Sequence, residues 1–255
     1  MNKNVSIAIT TALVMNCGIV NAQEATNIGK HNITLSKNVM TPETLWAMGR
    51  IGNAQASPDG NKIVYQVGYY SVKENRGHQV ICVMDSDGKN VRQLTTSAKS
   101  EVSPTWLDDH TIAFLLDGQI WSMNSDGSYR KKLSSSDIEI EGFRFSPDRK
   151  KVLLIKSIPY YGTIKKNPSD LPKASGRLIT DMNYRHWDHY VETIAHPFVA
   201  EVTANDISKN DVDIIEGEPY ESPLAPFGGI EQFDWSKDSK QIAYTCRKKE
   251  GVKYN

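Results

Sequence analysis

The sequence predicts an all-β fold, a partial β-propeller of about three and a half four-stranded blades. Three observations predict it. First, ICVMDSDGKNVRQL, beginning at Ile81, returns as IWSMNSDGSYRKKL at Ile120, 39 residues later and in register. Second, a strand–turn–strand unit occurs four times: QASPDGNKIVYQ from Gln55, TWLDDHTIAFLL from Thr105, RFSPDRKKVLLI from Arg144 and DWSKDSKQIAYT from Asp234. Third, where both motifs occur in a unit, they follow the same order. A period near forty residues, built of strands, reads as propeller blades rather than irregular hairpins.

Each element follows from local chemistry. Lys3, the apolar run Val5 to Val20 and the site Val20-Asn21-Ala22 predict a secretory signal peptide over residues 1–22. The run is too short and too polar for a transmembrane helix. A lipoprotein signal at Cys17 is the rival, with Met15 and Asn16 as poor neighbours for that cleavage. The mature chain is therefore expected in the periplasm or outside the cell. Residues 23–51 form a lead-in, and residues 52–255 the incomplete propeller.

Within a blade, Pro58 and Pro147 preset φ at an early turn position. Asp59, Asp109, Asp148 and Asp238 are expected to accept the backbone N–H groups that close these turns. Asp87-Gly88 and Asp126-Gly127 suit two-residue hairpins between the third and fourth strands. Blade three is long because an insertion, residues 157–195, separates its second and third strands. Blade four starts near Gly229 and has about half its strands, so the sequence reads as a fragment of something longer.

Composition excludes some classes. Thirty basic and thirty acidic residues cancel, so no global field draws the chain to nucleic acid or an anionic membrane. Cys82 and Cys246 lie in strand-like runs and read as buried free thiols, and no zinc-type cysteine spacing occurs. The histidines His31, His78, His110 and His196 carry no constellation. Trp46, Trp106, Trp121 and Trp235 fall near or within repeats and are expected in blade cores.

Two stretches are more specific than the repeats. MTPETLWAMGRIGNAQASPDG near the N-terminus and DLPKASGRLITDMNYRHWDHY in the insertion resemble the N-terminal β-propeller of secreted bacterial dipeptidyl peptidases, acylaminoacyl-peptidase-like members of the prolyl oligopeptidase superfamily. The resemblance covers essentially the whole mature chain. It implies a seven- or eight-bladed propeller followed by an α/β-hydrolase domain with a serine on a GxSxG elbow, then Asp and His. It further implies release of dipeptides from peptide N-termini, with the propeller restricting access and helping to hold the amino end. No GxSxG occurs in this sequence. No catalytic residue is therefore assigned, no cofactor is expected, and the chain alone is expected to be inactive. Its partners would be peptide substrates, met through the hydrolase domain it lacks; its oligomeric state is left open.

The substrate-binding set falls on the insertion. A peptide ammonium needs a carboxylate, which Asp181, Asp188 or Glu192 could supply, with aromatic packing from Tyr184 and Trp187. The set is Tyr184, Arg185, Trp187, Asp188 and Glu192; the structural alternative pairs Arg185 with Asp188 and packs the arm on its blade. His186 and His189, three apart, face opposite sides of a strand, and no third ligand is evident, so no metal is expected. A different class of function is a non-enzymatic periplasmic propeller that binds a protein or glycan, like that of the Tol system. The short lead-in, with no separate α/β domain ahead of the blades, counts against it.

Overall fold

The computed structural model describes residues 28–33, 39–160, 164–165, 173–176, 178–179, 191–203 and 206–248. One short helix, α1 (Pro42–Ala47), precedes the strands. Thr41 caps it, its Oγ1 accepting the Thr44 N–H at 3.2 Å, and Pro42 opens it. Blade one is an antiparallel meander of β1 (Arg50–Ala56), β2 (Lys62–Ser71), β3 (Arg76–Asp85) and β4 (Arg92–Gln93). Blade two repeats it with β5 (Glu101–Trp106), β6 (Thr111–Leu116), β7 (Gln119–Asn124) and β8 (Lys131–Lys132). Blade three begins with β9 (Ile140–Phe145) and β10 (Lys151–Pro159). A small hairpin of β11 (Ile164–Lys165) and β12 (Leu178–Ile179) follows, before β13 (Thr193–Glu201) and β14 (Val212–Asp213) complete the sheet. A hairpin of β15 (Phe233–Trp235) and β16 (Ile242–Tyr244) starts blade four. The chain is thus a partial propeller of three complete blades and the opening hairpin of a fourth.

The first turns of blades one, three and four close through one set of bonds. In blade one Ser57 Oγ donates to Asp59 Oδ1 at 2.6 Å and accepts the Lys62 N–H at 2.9 Å. Ser146 with Asp148 and Ser236 with Asp238 repeat this in blades three and four. Blade two departs from expectation. Its turn is one residue shorter, Leu107 replaces the serine, and Asp108, not Asp109, accepts the His110 and Thr111 N–H groups at 2.7 and 2.8 Å. Asp109 is thereby released to accept the Asp59 N–H of blade one at 2.9 Å.

The second turns also differ from the two-residue hairpins expected. The Gly88 N–H meets the Asp85 carbonyl, and the Asp85 N–H meets the Lys89 carbonyl, both at 2.9 Å. This is a three-residue loop with Gly88 in the left-handed region at φ +83°. Gly127 does the same at φ +89°, and a Cβ there would also crowd the Leu94 carbonyl of blade one.

After that turn a hydroxyl satisfies a buried donor. The Ile81 N–H meets Thr95 Oγ1 at 2.9 Å, and the Ile120 N–H meets Ser134 Oγ at 2.8 Å. In blade three the matching strand position is Pro197, as the Ile214 N–H to Pro197 carbonyl bond shows against its counterparts Leu94–Ile81 and Leu133–Ile120. Proline has no N–H, and the position of the hydroxyl is taken by buried Ile215. Donor and acceptor are lost together, so nothing is left unpaired.

The apolar core lies between blades. Val64, Ile81 and Val83 of blade one meet Trp106, Ile112, Phe114 and Met123 of blade two. Ala113, Leu115 and Ile120 of blade two meet Val152, Leu154, Phe198 and Ala200 of blade three. Leu153 and Ile155 meet Phe233 of blade four. On the other side of blade one, Ile28 of the lead-in packs on Tyr65, Val67, Tyr69, Val80 and Cys82. Each fully buried Leu, Ile or Phe contributes roughly 1.5–3 kcal/mol. Two tryptophans also fasten neighbours: Trp106 Nε1 donates to the Gln55 carbonyl at 3.1 Å, and Trp235 Nε1 to the Arg144 carbonyl at 3.0 Å. Trp46 is not in a blade core. It lies on α1, 43% exposed, edge-on to Tyr70, with the Arg50 guanidinium 5.1 Å from its ring and 4.4 Å from the Tyr70 ring.

Candidate functional site at the root of the blade-three arm

The arm springs from the two longest strands of blade three. β10 and β13 pair without a break from Lys151↔Glu201 to Pro159↔Thr193. Pairing continues one step further, as the Tyr160 N–H meets the Glu192 carbonyl at 2.9 Å. Val191 and Ile194 are buried there against Ile158 and Tyr160 and form a small apolar collar. Of the five residues predicted to bind substrate, Tyr184, Arg185, Trp187 and Asp188 lie outside the described residues, as do Asp181 and the His186–His189 pair. Glu192 is described. It is exposed, next to buried Val191, at the point where the arm rejoins the sheet.

Beneath the collar lies a polar cluster that the sequence reading missed. Lys156 and His196 are direct partners across β10 and β13, so both point to the face that meets blade two. Lys156 Nζ donates to both oxygens of Asp211 at 2.8 and 2.7 Å and stands 3.9 Å from the centre of the Phe198 ring. His196 Nδ1 donates to Asp213 Oδ2 at 2.8 Å. The four side chains are between 0 and 11% exposed. Buried charges of this kind are tolerated only when paired and hydrogen-bonded, and here each carboxylate meets a nitrogen donor. His196 Nε2 is buried with no hydrogen-bond partner among the described residues.

Histidine therefore does carry a constellation, contrary to the sequence expectation. Its signal was Lys156, a charged residue in the apolar run KVLLIKSIP. His78 is also buried, its ring nitrogens 2.9 Å from the carbonyls of Ile28 and Ser97, and it ties the lead-in to blade one.

The cluster's chemistry is that of an anchor. A nucleophile would have to hydrogen-bond to His196 Nε2, and no hydroxyl or thiol does so among the described residues. No group of three metal-ligating side chains occurs among the described residues either. Burial pushes the Cys82 thiol up to about 11, which keeps it unreactive, and Cys246 is half-buried rather than buried as expected. The arrangement holds both roots of the arm to the outer strand β14 and presents Glu192 at the rim.

No family model matches the chain. It is similar to dipeptidyl-peptidase 5 of Porphyromonas gingivalis, 40% identical over 260 residues that cover 100% of this chain and 36% of the relative. Dipeptidyl-peptidase 5 of Porphyromonas endodontalis is 36% identical over 227 residues, 87% of this chain and 33% of the relative. Among solved structures, acylaminoacyl peptidase of Pyrococcus horikoshii matches 67% of this chain and 26% of its own, with TM-score 0.47 and 12% identity. The chain spans about a third of the length of the curated relatives it matches. Over its whole length, this chain is a homologue of a segment of the dipeptidyl-peptidase 5 proteins.

Proposed function

We propose that this chain is the substrate-gating propeller portion of a secreted serine dipeptidyl peptidase and is catalytically silent by itself. The observation that carries this reading is the extent of the likeness, 40% identity along the full chain to about a third of a dipeptidyl-peptidase 5. The blades support it, because they pack one on the next and the third carries an inserted arm. The sequence supports the silence, because its 255 residues contain no GxSxG elbow. In this reading the arm takes the amino end of a peptide. Asp188 or Glu192 meets the ammonium, with Tyr184, Arg185 and Trp187 beside it. The Lys156–Asp211 and His196–Asp213 pairs hold the strands at the arm's roots. Residues 1–22 direct export to the periplasm or beyond and are removed.

The test has two parts. The purified chain, assayed on dipeptidyl-naphthylamide substrates, is expected to show no turnover; turnover abolished by a serine-directed inhibitor overturns the silence. A chimera carrying this chain in place of the matching segment of the P. gingivalis relative is expected to release dipeptides. In that chimera Glu192→Gln and Asp188→Asn are compared, and one of them raises KM severalfold more than it lowers kcat. A folded chimera in which neither changes KM removes the arm from substrate binding. N-terminal sequencing of the exported chain is expected to begin at Gln23.

A further inference from the structure

At the turn end of the blades, opposite the arm, blades two and three part to leave a groove of about 500 Å3. Its floor is apolar, with Leu133, Phe145 and Ile207, and its rim carries Lys131, Arg149 and Lys150. Arg149 is out of place by the logic of the repeat. It stands where blade one has Gly60 and blade four has Ser239, and all three are left-handed, at φ +61°, +73° and +60°. That conformation disfavours a residue with a Cβ, and a long side chain gives the turn nothing that glycine lacks.

The guanidinium has five N–H groups and accepts nothing. It donates to the Trp106 carbonyl at 3.0 Å and lies 6.0 Å from the centre of the Phe145 ring. Among the described residues no other acceptor takes its N–H groups. The groove also contains two carboxylates, and both are engaged by backbone. Asp108 Oδ1 holds the His110 and Thr111 N–H groups, and Asp206 Oδ1 holds the Ile207 N–H at 2.9 Å. Partial burial lowers the Arg149 pKa from its ordinary value, opposed by the charge of Asp108, while the residue stays exposed enough for an incoming anion to reach it.

We propose that this groove binds the C-terminal carboxylate of a peptide that ends in an apolar residue. Arg149 takes the carboxylate with its planar fork, Lys150 adds to the local field, and the apolar side chain lies on Leu133, Phe145 and Ile207. The site is separate from the arm and stands whether or not the chain serves a peptidase.

The test titrates N-acetyl-leucine, N-acetyl-leucinamide and inorganic phosphate into the chain, followed by NMR of the Arg149 Nε–H and the Leu133 and Ile207 methyl groups. N-acetyl-leucine is expected to shift all three saturably. The amide, which lacks the charge, is expected to bind at least about tenfold more weakly. Phosphate is expected to shift Arg149 and leave the methyl groups in place. Arg149→Gly copies the residue of blade one, so it is expected to keep the fold and to weaken N-acetyl-leucine by about tenfold or more. If that variant melts early, Arg149→Asn serves instead, since asparagine tolerates the left-handed region. Equal binding of acid and amide, binding unchanged by loss of Arg149, or no saturation by roughly 50 mM overturns the proposal. Phosphate binding as tight as that of N-acetyl-leucine overturns its apolar half.

Discussion

Thr95 and Ser134 are buried, and the hydroxyl oxygen of each accepts one buried backbone N–H. Thr95→Val keeps the shape and removes the acceptor, leaving the Ile81 N–H unpaired. A loss of about 1–3 kcal/mol is expected, read by urea denaturation. The turn aspartates act through charge. Asp59, Asp148 and Asp238 are each held below the ordinary aspartate pKa, first by the serine hydroxyl two residues earlier and then by a backbone N–H. A carboxylate depressed in the folded state contributes stability that is present above its unfolded pKa and is lost as pH falls through the folded value. Thermal midpoints are therefore expected to drop on acidification through and below the ordinary aspartate range. In the triple variant Asp59→Asn, Asp148→Asn, Asp238→Asn that acid limb flattens. These turns were legible because the bonds from the serine and aspartate that close each of them span five residues or fewer, whereas the Asp148 N–H bond to Ser239 Oγ, 91 residues away, could not be read. Asp109 was misread for the same reason, because its partner lies in another blade, 50 residues away.

Among elements, β10, β13 and β14 act as one unit through Lys156–Asp211 and His196–Asp213. Removing one member of a buried pair leaves an uncompensated charge. Lys156→Met is expected to cost about 3–5 kcal/mol, and Lys156→Met with Asp211→Leu to recover most of it. A double-mutant cycle on the four variants measures the coupling. The sequence showed the strands but not this cluster. Lys156 and Asp211 are 55 residues apart, with the whole arm between them, and only strand register decides that they meet. α1 carried readable signals in Thr41, Pro42 and Glu43. A six-residue helix, however, is too short to show a 3.6-residue apolar period, so a reading based on periodicity passes over it.

For the molecule as a whole, each blade packs its apolar face on the next one along the chain, and stability approximates a sum of blades and their interfaces. Trp106→Phe keeps the ring in the blade one–two core but removes its bond to the Gln55 carbonyl. A loss near 1 kcal/mol is expected, with hydrogen-exchange protection falling in β1 and β5 before β10 or β13. The architecture was the most legible property because it is written several times over. The groove between blades two and three was not legible, because it depends on how two turns from different repeats lie side by side, which neither turn specifies.

Pro197 and Ile215 imply an order of events for a chain built from copies of one unit. A copy that begins with an amide donor and a hydroxyl can reach the proline–isoleucine pair by two single steps in either order. Isoleucine first strands a buried N–H that cannot turn elsewhere. Proline first strands only a hydroxyl, which rotates and can seek another acceptor. The passable route for this pair runs through proline.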